Sequence, residues 1–315
     1  MHKIGVLAFA VALLVGTSVL STSTVLAQTT QPDDKMALYT KYYEKRKGDA
    51  EEQKVAYELG QEFVKKYGAD DDQYVKAVKK FLDKYDELER SNKFNAALGQ
   101  KDYAKAFETG QQILEHQPEN FGVMLQLVQA GYVSSTANNK NFNSQSMTIA
   151  KKALELMDAN KVSDPAGMPS LDDARGYLNF AIGWFLHDSS PNEAVPILVK
   201  AINSSASYKA NPTTYYLLGT SIINGEYSQQ VKEYQEKYAG KDASPEQQAL
   251  LDRINKTGER AVDAMARAVA LCKPEQQKYR TDVLAQLTDI YKDLHKGSEE
   301  GLKELIDSVL SKPMP

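Results

Sequence analysis

Outside its first 27 residues the chain carries three histidines, His116, His187 and His295, and a single cysteine, Cys272. These are the side chains best suited to acid–base, nucleophilic or metal chemistry near neutral pH. No histidine has a second His or Cys at metal-ligand spacing, and no His-Glu-x-x-His occurs. A glycine-rich phosphate loop and a Gly-x-Ser-x-Gly elbow are also missing. His187-Asp188-Ser189-Ser190 holds the residue types of a hydrolase triad, but a triad is a spatial arrangement that adjacency in a turn does not supply. The stretch reads instead as a helix end, with His187 favourable at the C-terminus and Ser190 capping the next helix. Asp70-Asp71-Asp72 lacks the alternating oxygen ligands and terminal Glu of a calcium loop, and reads as acid at a helix start. Glu87-Leu88-Glu89 and Glu299-Glu300 read as solvated faces, and Cys272 as a small buried helix residue. No catalytic set, metal or cofactor follows from these residues. The chain reads as non-enzymatic.

The elements that must position any site are helices. From Asp34 onward Ala, Leu, Lys, Glu, Gln and Tyr dominate, with apolar residues at three- and four-residue steps and no alternating strand pattern. The spacing predicts helices near 35–46, 50–66, 72–99, 102–116, 120–134, 143–159, 171–187, 191–203, 212–224, 228–239, 245–271, 275–294 and 298–311. Gly68 and Gly240 suit left-handed caps, and Asp102, Ser170, Ser228 and Ser298 suit N-caps. Pro118, Pro212, Pro274 and Pro313 close or open segments where a missing N–H costs least.

The N-terminus has a different character. His2 and Lys3 precede the apolar run Ile4–Val15, then a Ser/Thr-rich stretch ending Val25-Leu26-Ala27. The run is short of the roughly 20 residues that span a bilayer, and small residues follow it, as in a cleaved signal peptide over 1–27. Cleavage removes Lys3 and no acid, so 38 basic residues become 37 against 42 acidic ones, a net charge of −5. Both signs are interspersed, which excludes an electrostatic footprint for nucleic acid. No second run of spanning length follows, so no integral membrane segment is expected after cleavage, and the product is expected to be exported, periplasmic or secreted.

Several of these helices carry a shared pattern. Asp102-Tyr103, Ala106-Phe107, Ile113-Leu114 and Pro118-Glu119-Asn120 resemble the second helix and closing proline of a tetratricopeptide repeat. Tyr177, Phe180, Ala181 and Trp184 match the spacing of a first helix, and Asn192-Glu193-Ala194 through Ala201 its partner, after a turn one residue longer than the family norm. Tyr215, Leu218, Gly219 and Ile222 repeat the first-helix spacing, with Gly225-Glu226-Tyr227 in the turn. Met124, Leu127, Val128 and Gly131 make a looser copy, joined by the polar loop Thr136–Asn143 to a helix with Ala150 and Ala153. The resemblance covers about 95–240, and it weakens over 50–94 and 241–315, where helix lengths depart from a unit of about 34 residues. It implies an all-α, right-handed superhelical α-solenoid of helix-turn-helix pairs. The domain reading is a signal peptide over 1–27, a partly helical segment over 28–49, and the solenoid over 50–315 with a helical extension from 241.

The resemblance also implies how such a protein works: a concave face holds a peptide, a loop or another subunit. The expected function is a non-enzymatic exported scaffold that binds a protein or peptide partner in an envelope assembly. The alternative is a component that binds a solute or saccharide in an aromatic-lined pocket, and a third reading is a hydrolase with an unrecognised site. If Tyr177, Phe180, Ala181 and Trp184 pack between pairs, Leu178, Ile182 and Phe185 face the groove; otherwise the protein's own terminal helices cover them. The family's groove positions add Gln129 and Tyr132 before them and Tyr216, Thr220 and Asn224 after them. Repeats that clamp a C-terminal carboxylate use Lys, Arg and Asn on first helices. Arg175 and Asn179 approach such positions here, whereas the helices at 120–134 and 212–224 contain no Lys or Arg. The 18 tyrosines, among them Tyr42-Tyr43 and Tyr215-Tyr216, read as core rings whose hydroxyls reach solvent. Intact-mass measurement of secreted protein is expected to show Gln28 as the first residue; a mature species retaining 1–27 would instead indicate a membrane anchor.

Overall fold

The computed structural model describes residues 32–314, and no strand occurs among them. The expected signal peptide over 1–27 and the N-terminus at Gln28 lie outside the described residues. The helices are α1 (Pro32–Lys45), α2 (Ala50–Tyr67), α3 (Gln73–Gly99), α4 (Tyr103–His116), α5 (Phe121–Thr136), α6 (Asn143–Asp158) and α7 (Leu171–Leu186). They continue as α8 (Pro191–Ser204), α9 (Ala206–Lys209), α10 (Pro212–Ile222), α11 (Ser228–Tyr238), α12 (Pro245–Leu271), α13 (Gln277–Leu294) and α14 (Leu302–Ser308). The chain divides into two compact units, one up to Tyr85 and one from Asp86, and the division falls within α3.

Local chemistry starts most helices where the apolar periodicity does. Asp49, Asp102, Asn120, Ser170 and Ser244 each accept the backbone N–H three residues on, the N-cap bond whose loss typically costs about 1 kcal/mol. Three of the expected caps differ. Gly68 has φ −67°, an ordinary right-handed value, whereas Gly240 takes the left-handed φ of 72°. Ser228 follows Tyr227, which is already helical, on the far side of a kink at Gly225, and Ser298 bonds the N–H of Glu300 ahead of a helix that begins only at Leu302.

In the first unit Tyr42, Ala56, Phe63, Tyr67, Val75 and Val78 are buried together. The Asp70–Asp72 turn does structural duty: Asp72 accepts the N–H groups of Tyr74 and Val75 at 2.9 Å each, and Lys35 of α1 bridges Asp70 and Asp72. Segment 34–45 is therefore packed into this unit as a full helix, with Tyr42 only 2% exposed.

In the second unit each helix packs on its neighbour in the chain: α4 on α5, α5 on α6, α6 on α7, α7 on α8, α8 on α10, α10 on α12, α12 on α13. This sequential packing makes the unit an all-α solenoid, in which no helix pair buries its apolar face without the next. Close approach at the crossings depends on missing side chains. A Cβ on Gly131 of α5 would stand 1.8 Å from Ser146 Oγ of α6, and one on Gly183 of α7 would stand 2.4 Å from Leu198 of α8. The 241–315 segment is integral to the stack, since Ala261, Val262, Met265 and Val269 of α12 and Val283 and Leu287 of α13 join the main core. The sequence pairs 212–224 with 228–239, but α10 packs on α8 and α12, while α11 has no buried residue. Between them, over Ile223–Tyr227, the path kinks at Gly225, whose φ −98° and ψ −105° are not helical.

The α10–α12 crossing gives a test. A Cβ on Gly219 would meet Met265 Cγ at 2.5 Å and the Ala261 carbonyl oxygen at 3.1 Å, so the backbone of α12 itself would have to move. Helix propensity alone favours alanine by roughly 0.5–1 kcal/mol. Overpacking outweighs it, and Gly219→Ala is expected to lose about 1–2 kcal/mol in a denaturant titration. A midpoint at or above the parent's would show that α12 shifts without cost.

Candidate functional site

The C-terminal turn of α7 is the centre of the site. Two cavities, of about 400 Å³ and about 270 Å³, are both lined by His187 and Asp188 and so meet there. The larger is walled by Lys140 from the loop before α6, by Asn143, Ser144 and Met147 of α6, and by Trp184 and Phe185 of α7. The smaller is walled by Tyr216, Thr220, Ile223 and Asn224 at the end of α10, and by Gln286 and Ile290 of α13.

Helix geometry fixes the side chains at this junction. Trp184 is half-buried; its indole N–H donates to Ser135 Oγ of α5 at 3.0 Å. The Tyr132 ring meets Trp184 edge-on at 5.2 Å and Phe180 at 5.5 Å, the orientation that opposes a positive edge to a negative face. Burial pushes the Tyr132 phenol up from its ordinary pKa, so it stays a neutral donor. Across the smaller cavity the Tyr216 hydroxyl donates to Gln286 Oε1 at 3.1 Å, and its ring meets Tyr279 edge-on at 6.0 Å.

Charge at the junction is internally compensated. Lys140 Nζ donates to Asp188 Oδ2 at 2.6 Å, while His187 places Nε2 3.0 Å from Asp188 Oδ1 and Nδ1 2.5 Å from the Trp184 carbonyl. The Lys140 hydrogen bond holds the Asp188 carboxyl below the ordinary range, partly opposed by burial and assisted by the charge of His187 and Lys140. Both ring nitrogens of His187 are thus engaged by groups other than serine. Neither Ser189 nor Ser190 has a side-chain hydrogen bond to it, so the residues of the His187–Ser190 turn do not form a nucleophile–base pair. Ser190 does hold the N-cap position of α8, without a side-chain cap bond. Among the described residues no three His, Cys, Asp or Glu side chains gather to hold a metal ion.

The structure brings together part of the expected groove. Tyr216, Thr220 and Asn224 wall the smaller cavity, and Phe185, though 7% exposed, reaches the larger one. Tyr132 supports Trp184 from behind, and Gln129 lies exposed one helical turn before it. Leu178 and Ile182 do not face a groove: they are 0% and 1% exposed. The cause is that α7 is enclosed by its neighbours α5, α6, α8, α9 and α10, not by the terminal helices. Phe185 is likewise mainly core, with only its edge at the cavity wall. Arg175 belongs elsewhere, in an open polar cavity of about 560 Å³ with Asn179 and Lys200. There Arg175 pairs with Asp158 at 2.5 Å, and the buried Asn179 amide donates to the Arg175 carbonyl at 2.9 Å. Residues from loops and from α13 were not singled out in sequence: Lys140, Asn143, Gln286 and Ile290 carry no local signal, and only the turn around His187–Asp188 drew attention.

No family model matches the chain, and neither a curated protein nor a solved structure shows significant similarity to it. No helix among the described residues is long and apolar enough to cross a membrane.

The Lys140–Asp188 bridge ties the 137–142 loop to the α7–α8 turn. Because the Asp188 carboxyl is depressed in the fold, the stability it contributes is present above the unfolded aspartate value of about 3.9 and lost as pH falls through the lower folded value. Amide exchange of the 137–142 loop, corrected for intrinsic rates, is expected to rise below about pH 4 before the helices open. Lys140→Met is expected to remove that acid step by freeing the loop already at neutral pH. A loop protected equally at both ends of the range would show that the bridge holds nothing.

Proposed function

We propose that this protein is a non-enzymatic exported scaffold, resembling tetratricopeptide-repeat proteins, that binds a protein or peptide partner in an envelope assembly. The observation that carries this reading is the two-chambered cleft. Each chamber offers apolar surface, Met147, Trp184 and Phe185 in one and Ile223 and Ile290 in the other, separated by the polar His187–Asp188 junction. That arrangement fits an extended segment with two apolar anchors and a polar stretch of main chain between them. Its charged pair, Lys140 and Asp188, is already satisfied and His187 lies against Asp188, so affinity rests on ring contact, burial and neutral hydrogen bonds. Export is supported by the apolar run Ile4–Val15 and the small residues Val25 and Ala27.

One observation favours the saccharide alternative. The half-buried indole of Trp184 borders a chamber of about 400 Å³ with amide and hydroxyl groups from Asn143 and Ser144, a size and lining suited to a small polar ligand. Trp184 is the only tryptophan, so its emission reports occupancy of that chamber directly. A partner captured by cross-linking in the envelope and then purified is expected to shift this emission saturably, and Asn224→Tyr, which fills the second chamber from an exposed position, is expected to weaken it at least tenfold without changing the thermal midpoint. Ile182→Asp, by contrast, is expected to cost more than about 3 kcal/mol, because it buries a charge in the core. Emission that responds to neutral trisaccharides and to no captured protein would replace the first reading with the second.

A further inference from the structure

Arg267, near the C-terminal end of α12, is the one charged residue that is buried among the described residues, with its side chain 6% exposed. A buried guanidinium must have its charge balanced and its N–H groups paired. Asp263, one turn earlier, supplies the charge through Nε to Oδ1 at 2.6 Å and Nη2 to Oδ2 at 3.3 Å. The same Nη2 donates to two successive main-chain carbonyls, those of Lys312 and Pro313, at 3.0 Å each. The pair is neutral once Asp263 is bound, so carbonyl dipoles complete it without adding a second carboxylate.

The segment it holds has few other attachments. Val309 is fully buried and opens a final 3-10 turn, Val309–Ser311, but Leu310, Ser311, Lys312 and Pro313 are all exposed. Lys312 is extended, at φ −104° and ψ 150°, and its N–H donates to the Val309 carbonyl. Proline at 313 has no N–H to offer. Met314 is half-buried against the core. The side chains of Lys312 and Pro313 thus point to solvent while their carbonyls turn inward, so this segment is held by its main chain.

We propose that residues 310–314 form a strap that lifts and reseats as a unit, with the Arg267–Asp263 pair as its catch. Lifting uncovers the Arg267 Nη2 donor, which the two main-chain carbonyls share when the strap is seated, and leaves the helices beneath in place, because Val309 is the last buried residue among those described.

Peroxide oxidation of the full chain, mapped by peptide mass, tests this on the methionines. Met36 is 41% exposed and serves as the open reference, and Met265, 0% exposed, reports opening of α12. In the parent, Met314 is expected to oxidise about threefold or more slowly than Met36, and to lose that protection at denaturant concentrations where Met265 is still protected. In the paired variant Arg267→Leu with Asp263→Asn, Met314 is expected to reach the Met36 rate while Met265 keeps its protection. Met314 and Met265 losing protection together in the parent would overturn the proposal, since the strap would open only with the fold. Undiminished Met314 protection in a folded variant would overturn the catch. If the variant fails to fold, the denaturant series on the parent decides alone.

Discussion

How closely one helix can approach the next is the constraint on which the rest of this structure depends. A helical pair in a stack has no core of its own, and its stability comes from surface shared with the pairs on either side. That surface is continuous only where backbones come near enough to exclude water and interlock side chains. At Gly131, Gly183, Gly219 and Gly258 a single Cβ would collide with Ser146, Leu198, Met265 and Leu294 respectively, each on the helix packed against it. Alanines at 0% exposure, among them Ala150, Ala153, Ala181, Ala194, Ala201 and Ala261, fill the same layers. Helix propensity explains the alanines, but glycine in a helix interior is unfavourable and needs a tertiary reason. Here that reason is contact distance.

The same constraint shapes the cleft. At Gly183 α7 is pressed against α8, and the next residue, Trp184, turns its ring toward α5 and its N–H to Ser135. Tyr132 props the indole on that side, so the ring has one supported edge and one face toward the cavity. Half-buried tyrosines of the second unit follow a common logic. Burial raises the phenols of Tyr132, Tyr208 and Tyr279, which therefore remain neutral hydrogen-bond donors attached to large apolar surfaces. A site built this way discriminates by shape and hydrogen bonding more than by charge.

Much of the fold was legible because it rests on local rules. Asp102 and Ser170 cap the helices they precede, Pro212 and Pro245 open theirs, and three- and four-residue apolar steps mark every long helix. The four-residue α9 was not legible, being too short for periodicity to register, although Ser205 caps it. Orientation was harder than existence. Residues 176–186 are apolar nearly all round, and such a helix declares that it is buried without declaring by what. Leu178 and Ile182 were assigned to the groove on family geometry, and the surrounding helices claim them instead. The partnership of α10 with α12 was equally hidden, because α11 lies between them in sequence and is amphipathic enough to suggest pairing.

The cleft itself was written in the sequence as irregularity. Its walls come from three places where the chain departs from a regular helix pair. The long polar loop before α6 supplies Lys140; the lengthened turn between α7 and α8 supplies His187, Asp188 and Ser189; and the kink at Gly225 supplies Ile223 and Asn224. Each departure has a local cost, in loop entropy for the first two and in a broken helical path for the third. The glycine is required there, since a Cβ on Gly225 would lie 2.1 Å from Asn192 Oδ1. Three independent irregularities lining two cavities that share His187 and Asp188 are difficult to account for by packing, because the core beneath them is already closed by Leu198, Leu217 and Ile222. Natural sequences tend to break local rules where function requires it. In a repeat protein, the positions where the pattern fails are therefore more informative about the site than those where it holds.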